Sequence, residues 1–183
     1  MRAGRIRQST GRYFVMSKIV RIIDTLSEYT GRGAIWLSIA LVLVLTYETA
    51  VRYVFNAPTQ WVYETSYMIG ASMAVLGWAY THKHHGHIRV DIFYTRLSPR
   101  GQAIVDVVIS ILFLFPLLIV LIYGSYSSMQ FAILMNEKLA ESSFRPPAAP
   151  IKAVLLVGIC LFALQTIAEF IRNLYLLIRK RTI

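Results

Sequence analysis

The chain has 183 residues, of which 56% are hydrophobic and 15% charged, and its mean hydropathy is +0.56. Little of it is left for a water-soluble core, so residues 1–183 read as one membrane domain. A formal charge of +10 would suit nucleic acid, but the placement of the basic residues argues against that partner. A single cysteine, Cys160, excludes an internal disulfide and a thiolate metal site.

Residues 1–14 form a polar, basic tail. From Val15 to Tyr29 an amphipathic period appears. Val15, Ile19, Ile22, Ile23, Leu26 and Tyr29 recur every three or four residues, with Lys18, Arg21, Asp24 and Glu28 on the other face. That pattern predicts a helix over residues 15–30 lying in the cytoplasmic interface. Gly31 and Gly33 predict a break after it.

Four apolar segments follow: Ala34 to Val54, Trp61 to Tyr80, Ala103 to Tyr123 and Ile151 to Ile171. Each meets the roughly 20 helical residues that a hydrocarbon core about 30 Å thick requires. Backbone polar groups in lipid must bond within the segment, so the spans are expected to be helices. The fold class is therefore an all-α integral membrane protein with four transmembrane helices plus an N-terminal interfacial amphipathic helix. The first span is expected to act as an uncleaved signal anchor.

The turn between spans one and two reads Asn56-Ala57-Pro58-Thr59, a tight antiparallel connection. Ser98-Pro99 reads as an N-cap with proline in the first turn of span three. Pro116 predicts a kink in that span. The apolar pattern continues past Tyr123 to about Leu139, and Phe144 to Pro150 reads as a stiff, extended connection into span four.

Fifteen of the 19 basic residues lie before span one, between spans two and three, or after span four. Only Arg52, Lys138, Arg145 and Lys152 fall on the other side. The positive-inside rule turns this asymmetry into cytoplasmic N- and C-termini. It also accounts for the positive charge without nucleic acid.

Three groups of residues are candidates for a site. Glu48 and Arg52 are four apart on span one and share a face, with Glu64 just across the turn. A charge in a span points to function and to a named partner. The readings are a proton or cation site, as in a small self-sufficient exporter, or an ion-pair cluster that pins the hairpin or faces another subunit. His82, His84, His85 and His87 gather with Asp91 in the inner loop. Metal ligation is weighed against pairing of His87 with Asp91, and the interleaved Lys83 and Arg89 oppose a cation. Haem between two helices would need histidines on both, which also counts against the anchor of a respiratory enzyme. Gly70, Ala74 and Gly77 are spaced so that another helix can approach span two closely. Trp36, Trp61 and Trp78 lie near span ends, as aromatic belts do.

Two stretches carry a resemblance. One is Arg52-Tyr53-Val54-Phe55-Asn56-Ala57-Pro58-Thr59-Gln60-Trp61-Val62-Tyr63-Glu64; the other is Gly86-His87-Ile88-Arg89-Val90-Asp91. With four spans, they resemble the small membrane subunit of tripartite ATP-independent periplasmic (TRAP) transporters, the DctQ family. The resemblance implies a bacterial inner-membrane location, a large multi-span partner that carries substrate and sodium, and a periplasmic binding protein that delivers an organic acid. It implies a scaffold role with no catalytic residue, cofactor or metal. Asn56, Pro58, Trp61, His87, Arg89 and Asp91 then become interface or structural candidates beside Glu48, Arg52, Glu64, Gly70, Ala74 and Gly77.

Overall fold

The computed structural model describes residues 3–84, 97–140 and 143–179, with the backbone alone for 3–17, 19, 99, 178 and 179. Within these residues the fold is helical throughout: α1 (Ala3–Val54), α2 (Val62–Lys83), α3 (Pro99–Ile109), a π-helical turn (Ser110–Leu114), α4 (Phe115–Leu134) and α5 (Ala149–Arg179). The stretches Val20–Val54, Arg100–Leu134 and Ala149–Leu177 are long and apolar enough to cross a membrane. α2 has 22 residues, long enough to cross, but Glu64, Thr65, Ser66 and Ser72 dilute its apolar run.

No proline precedes Pro58, so nothing in the sequence forbids one uninterrupted α1. The break expected at Gly31 and Gly33 is absent, and the expected interfacial segment is continuous with the first apolar stretch. Gly31 has a different role. A Cβ there would lie 2.3–2.6 Å from the Tyr80 side chain. The missing side chain lets α2 cross α1 closely.

α1 ends at the turn that the sequence marks. Asn56 takes a left-handed φ of 51°, and the Ala57 N–H reaches back to the Val51 carbonyl at 3.2 Å. Asn tolerates that region better than most residues. Ser98 caps α3 as expected, its hydroxyl accepting from the Gly101 N–H at 3.3 Å.

Pro116 does perturb its helix, through a widened turn. Pro116 has no N–H, and its ring would press on the carbonyl four residues back. The ladder opens to an i→i+5 bond just before it, with the Phe115 N–H donating to the Ser110 carbonyl. α4 stops at Leu134, five residues short of the expected Leu139. There Asn136 sits at φ 47°, and its own N–H and that of Glu137 bond back to Ile133 and Ala132 at 3.4 and 3.0 Å. That is a Schellman ending with Asn in the left-handed position. The connection beyond is pinned by an antiparallel bridge between Lys138 and Pro147, so it doubles back where an extended linker was expected.

Three helices pack against one another and the other two lie on the last of them. α1 packs on α2, α2 on α5, and α5 on α3 and α4, while α1 also touches α5. The most deeply buried side chains are small or polar, among them Ala79, Ala148, Ala168, Ser27, Thr166 and Gln165, beside a few aliphatic ones such as Val62, Leu118 and Ile159. Large side chains such as Trp36, Leu43, Phe113 and Val120 face outward. This is the packing of helices in lipid, where close approach of small residues holds them together and apolar surface need not be hidden. The tightest crossing is α2 against α5, where a Cβ on Gly158 would lie 2.2 Å from Val75 Cγ1.

Candidate functional site

Two layers of polar contact cross the helices, one toward each end. The first joins the hairpin of α1 and α2. Glu48 is buried, and its Oε1 accepts from Arg52 Nε and Nη2 at 2.9 and 2.6 Å. Its Oε2 accepts from the Thr59 N–H at 3.3 Å and from the Thr59 hydroxyl. The four-residue spacing on one helix face thus produces the expected ion pair. The turn completes it, because Asn56 and exposed Pro58 redirect the chain so that Thr59 returns over Glu48. Trp61 stacks on Tyr47 with ring centroids 5.9 Å apart, a second strap on the same turn. Glu64 is 1% exposed and lies two residues inside α2; the cation on Glu48 is Arg52. Four hydrogen bonds thus converge on the Glu48 carboxylate.

The second layer was not read from the sequence. Asp24 pairs with Arg172, which also donates to Glu169 at 3.0 Å. Gln165 is 0% exposed. Its Nε2 donates to Asp24 Oδ1 at 3.1 Å and its Oε1 accepts from the Ser27 hydroxyl at 2.8 Å. One turn along α1, Glu28 accepts from Lys83 Nζ at 2.7 Å and lies 3.3 Å from His84 Nε2. Lys83 Nζ also reaches the Asp24 carbonyl at 3.2 Å. Asn173 donates to Asp106 at 3.3 Å and brings in α3. α1, α2, α3 and α5 are therefore all tied together at this end.

This layer turns part of the expected polar face toward the other helices. Asp24, Ser27 and Glu28 turn inward to their partners. Of the expected apolar face, Ile22, Leu26 and Tyr29 are exposed, as a lipid-facing surface would be, while Ile23 is buried in a cluster with Val20 and Ala168. The periodicity grouped these residues only in part, since Ile23 is buried apart from Ile22, and Lys18 and Arg21 are exposed apart from Asp24 and Glu28. It did not say which face looks inward, and in lipid the apolar face looks out.

The two layers have a spacing with physical meaning. Glu28 and Glu48 are 20 positions apart on α1, about 30 Å at 1.5 Å per residue and so one hydrocarbon thickness. On α2, Glu64 and Lys83 are 19 positions apart, and no Asp, Glu, Lys or Arg lies between them. Trp36 and Tyr53 are exposed on α1 near the two layers, where amphipathic rings sit at a membrane boundary.

The histidines part company. His84 stacks on Tyr80 at 4.4 Å and faces Glu28, while His82 meets Phe162 of α5 edge-on at 5.2 Å. His85, His87, Arg89 and Asp91 lie outside the described residues. Among the described residues, no three His, Cys, Asp or Glu side chains gather as metal ligands would.

The expected small-residue contact also moves. A Cβ on Gly77 would meet nothing within 4 Å, and one on Gly70 only Leu41 at 3.9 Å. Ala74 is exposed. Tyr63 and Tyr67, both exposed, flank this stripe at one end, and Trp78, which also meets Phe162 of α5 edge-on at 6.3 Å, lies at the other. The close approaches inside the chain use Gly31 and Gly158 instead. α2 therefore keeps one open stripe, small in the middle and aromatic at both ends.

The sequence model of the family described as tripartite ATP-independent periplasmic transporters, DctQ component, matches residues 41–175. That is well over half of the chain and includes the Glu48 layer, the open stripe of α2 and all but the end of α5. No curated protein matches the chain.

Proposed function

Because the chain belongs to the DctQ family of TRAP transporter components, we propose that it is the scaffold subunit of a sodium-coupled organic acid importer. The family works as a transporter component with a large membrane subunit and a periplasmic binding protein. In this reading the large subunit carries substrate and sodium, and the chain described here carries neither. It widens and stiffens the membrane part against which the transport domain moves.

The observation that carries the reading is the open stripe of α2. A Cβ on Gly77 would meet nothing within 4 Å, one on Gly70 only Leu41 at 3.9 Å, and Ala74 is exposed, in a helix less apolar than the three long apolar stretches. A helix of that composition is better covered by protein than by lipid, and small residues allow a second helix to approach. α2 is accordingly assigned as the fourth span. Its end charges lie about one bilayer apart, and both ends are fastened to α1, by Thr59 on Glu48 and by Lys83 on Glu28. Arg52, Asn56, Pro58, Trp61 and Glu64 are assigned to keep this hairpin rigid. His87, Arg89 and Asp91 are assigned to dock the cytoplasmic end of α2 onto the large subunit or onto anionic lipid headgroups. The basic residues put both termini in the cytoplasm of a bacterial inner membrane.

Site-directed cross-linking tests the reading. A photoreactive residue at Ala74 should capture the large subunit when the two are co-expressed. One at Ile119, on the outward side of α4, should be captured by lipid only. Capture of the large subunit at Ile119 and not at Ala74 would overturn the assigned face.

A further inference from the structure

The outward side of α1 carries an ordered stripe near its second polar layer. Lys18, Arg21, Thr25, Tyr29, Arg32 and Trp36 follow one another at steps of three and four residues, so they share one face, and all six are exposed. Ile39 and Leu43, also exposed, carry the same face on to about 20 Å beyond Tyr29, more than one leaflet of the hydrocarbon core. The order along the stripe is basic, then basic with aromatic, then apolar. A phospholipid presents its layers in that order, from charged headgroup through interface to acyl chain.

The carboxylates on this part of α1 are engaged elsewhere. Asp24 holds Arg172 and Gln165, and Glu28 holds Lys83 at 2.7 Å. Among the described residues of α1 between Lys18 and Leu43, no Asp or Glu is exposed, so the outward charge here is positive. Arg32 shows at what depth its charge is held. Its Nε lies 3.4 Å from Glu28 Oε1 while its side chain stays 70% exposed. The guanidinium is thus drawn one turn toward the helix N-terminus and remains on the outside. Arg21 stands seven positions beyond Glu28, about 10 Å along the helix. The two arginines bracket the depth of a headgroup, with the Tyr29 ring at its lower edge.

We propose that the face of α1 marked by Arg21, Tyr29, Arg32 and Trp36 binds an anionic phospholipid. The phosphate lies between the two arginines, and the acyl chains run along Trp36, Ile39 and Leu43. This goes beyond the subunit reading and does not rest on it. Charge complementarity selects the headgroup, since basic residues at a membrane boundary attract anionic lipid, and exposed aromatic rings suit the interface below it. The shape of the face selects lipid over a second helix. Close helix contacts within the chain are made where a side chain is missing, at Gly31 and Gly158. Here Ile22, Tyr29 and Trp36 stand out from the helix and leave gaps that flexible acyl chains fill.

The test uses the full chain in vesicles, with brominated phospholipids as the probe, because bromine quenches a tryptophan it touches. Trp61→Phe with Trp78→Phe leaves Trp36 as the only tryptophan. Quenching should give brominated phosphatidylglycerol a binding constant on the order of twenty times that of brominated phosphatidylcholine, the weight of two basic residues near a charged leaflet. Arg21→Gln and Arg32→Gln should each lower that preference roughly fivefold, Arg32→Lys should keep most of it, and helicity should be unchanged in all three. With Trp61 as the only tryptophan, at the other end of α1, the preference should vanish. Equal quenching of Trp36 by the two lipids, an undiminished preference in both Gln variants, or the same preference at Trp61 would overturn the proposal. So would loss of the preference in excess inorganic phosphate, which would give the site to the free ion. In cells, a photoreactive residue at Ile39 should be captured by lipid; capture by a protein would overturn the lipid assignment.

Discussion

Replacing Gln165 by leucine isolates what the second polar layer contributes. Gln165 is fully buried in α5 and bridges Ser27 and Asp24 of α1. Leucine has nearly its volume, so the change removes two hydrogen bonds without opening a large cavity. Asp24 keeps Arg172, whereas Ser27, 1% exposed, loses its side-chain partner. An unsatisfied buried polar group costs about 1–3 kcal/mol. Two effects pull the figure down. A helical serine can turn its hydroxyl back to its own helix, and measured hydrogen bonds between membrane helices average about 0.6 kcal/mol with a maximum near 1.7. Gln165→Leu should therefore destabilise the purified chain by about 1 kcal/mol. Ser27→Ala should cost a similar amount, because it strands the Gln165 oxygen. The double variant removes both partners and should cost less than the sum of the two, since apolar replacement of a whole pair is nearly neutral. The assay is reversible unfolding in mixed detergent micelles, followed by helicity and by Trp fluorescence. Strict additivity would mean that the two side chains do not bond, and the layer would lose its role in holding α1 to α5.

Three further expectations follow from single contacts. Gly31→Ala should destabilise the chain, since the new Cβ meets Tyr80 Cβ and Cγ inside 3 Å; Gly33→Ala, with nothing within 4 Å, should be neutral or stabilising by up to about 1 kcal/mol from helix propensity. The same unfolding assay separates the two, and equal effects would deny the crossing at Gly31. Arg52→Ala should lower the yield of assembled complex more than Arg52→Ala combined with Glu48→Gln, because the single change leaves a buried carboxylate without its cation. Equal yields would remove the pair's structural role. A periplasm-active reporter fused after Ala140 should be active and one fused after Arg179 silent; the reverse pattern would contradict the orientation.

Local signals carried a good part of this structure. Ser98 and Pro99 announced a cap, Asn56 and Pro58 a turn, and the four-residue spacing of Glu48 and Arg52 an ion pair; all three are short-range. What could not be read was long-range. Ser27 and Gln165 are 138 positions apart, and Asp24 and Arg172 are 148 apart, so no window along the chain holds both members of either pair. A signal did exist in Gln165 and Glu169, polar groups inside an apolar run, which call for a buried partner. Gly31 misled because glycine reads as a breaker from propensity, while in a membrane helix it is equally a place of close contact. The π turn before Pro116 shows a similar limit: the proline foretold a disturbance, but a kink was expected and a widened turn is what forms.

The most direct test of the scaffold reading is uptake into vesicles. This chain alone, the large subunit alone, and the two together would each be reconstituted, with the binding protein, its organic acid and an inward sodium gradient. The account predicts flux only when both membrane proteins are present, and none through this chain by itself. Uptake by vesicles containing this chain as their sole membrane protein would contradict it.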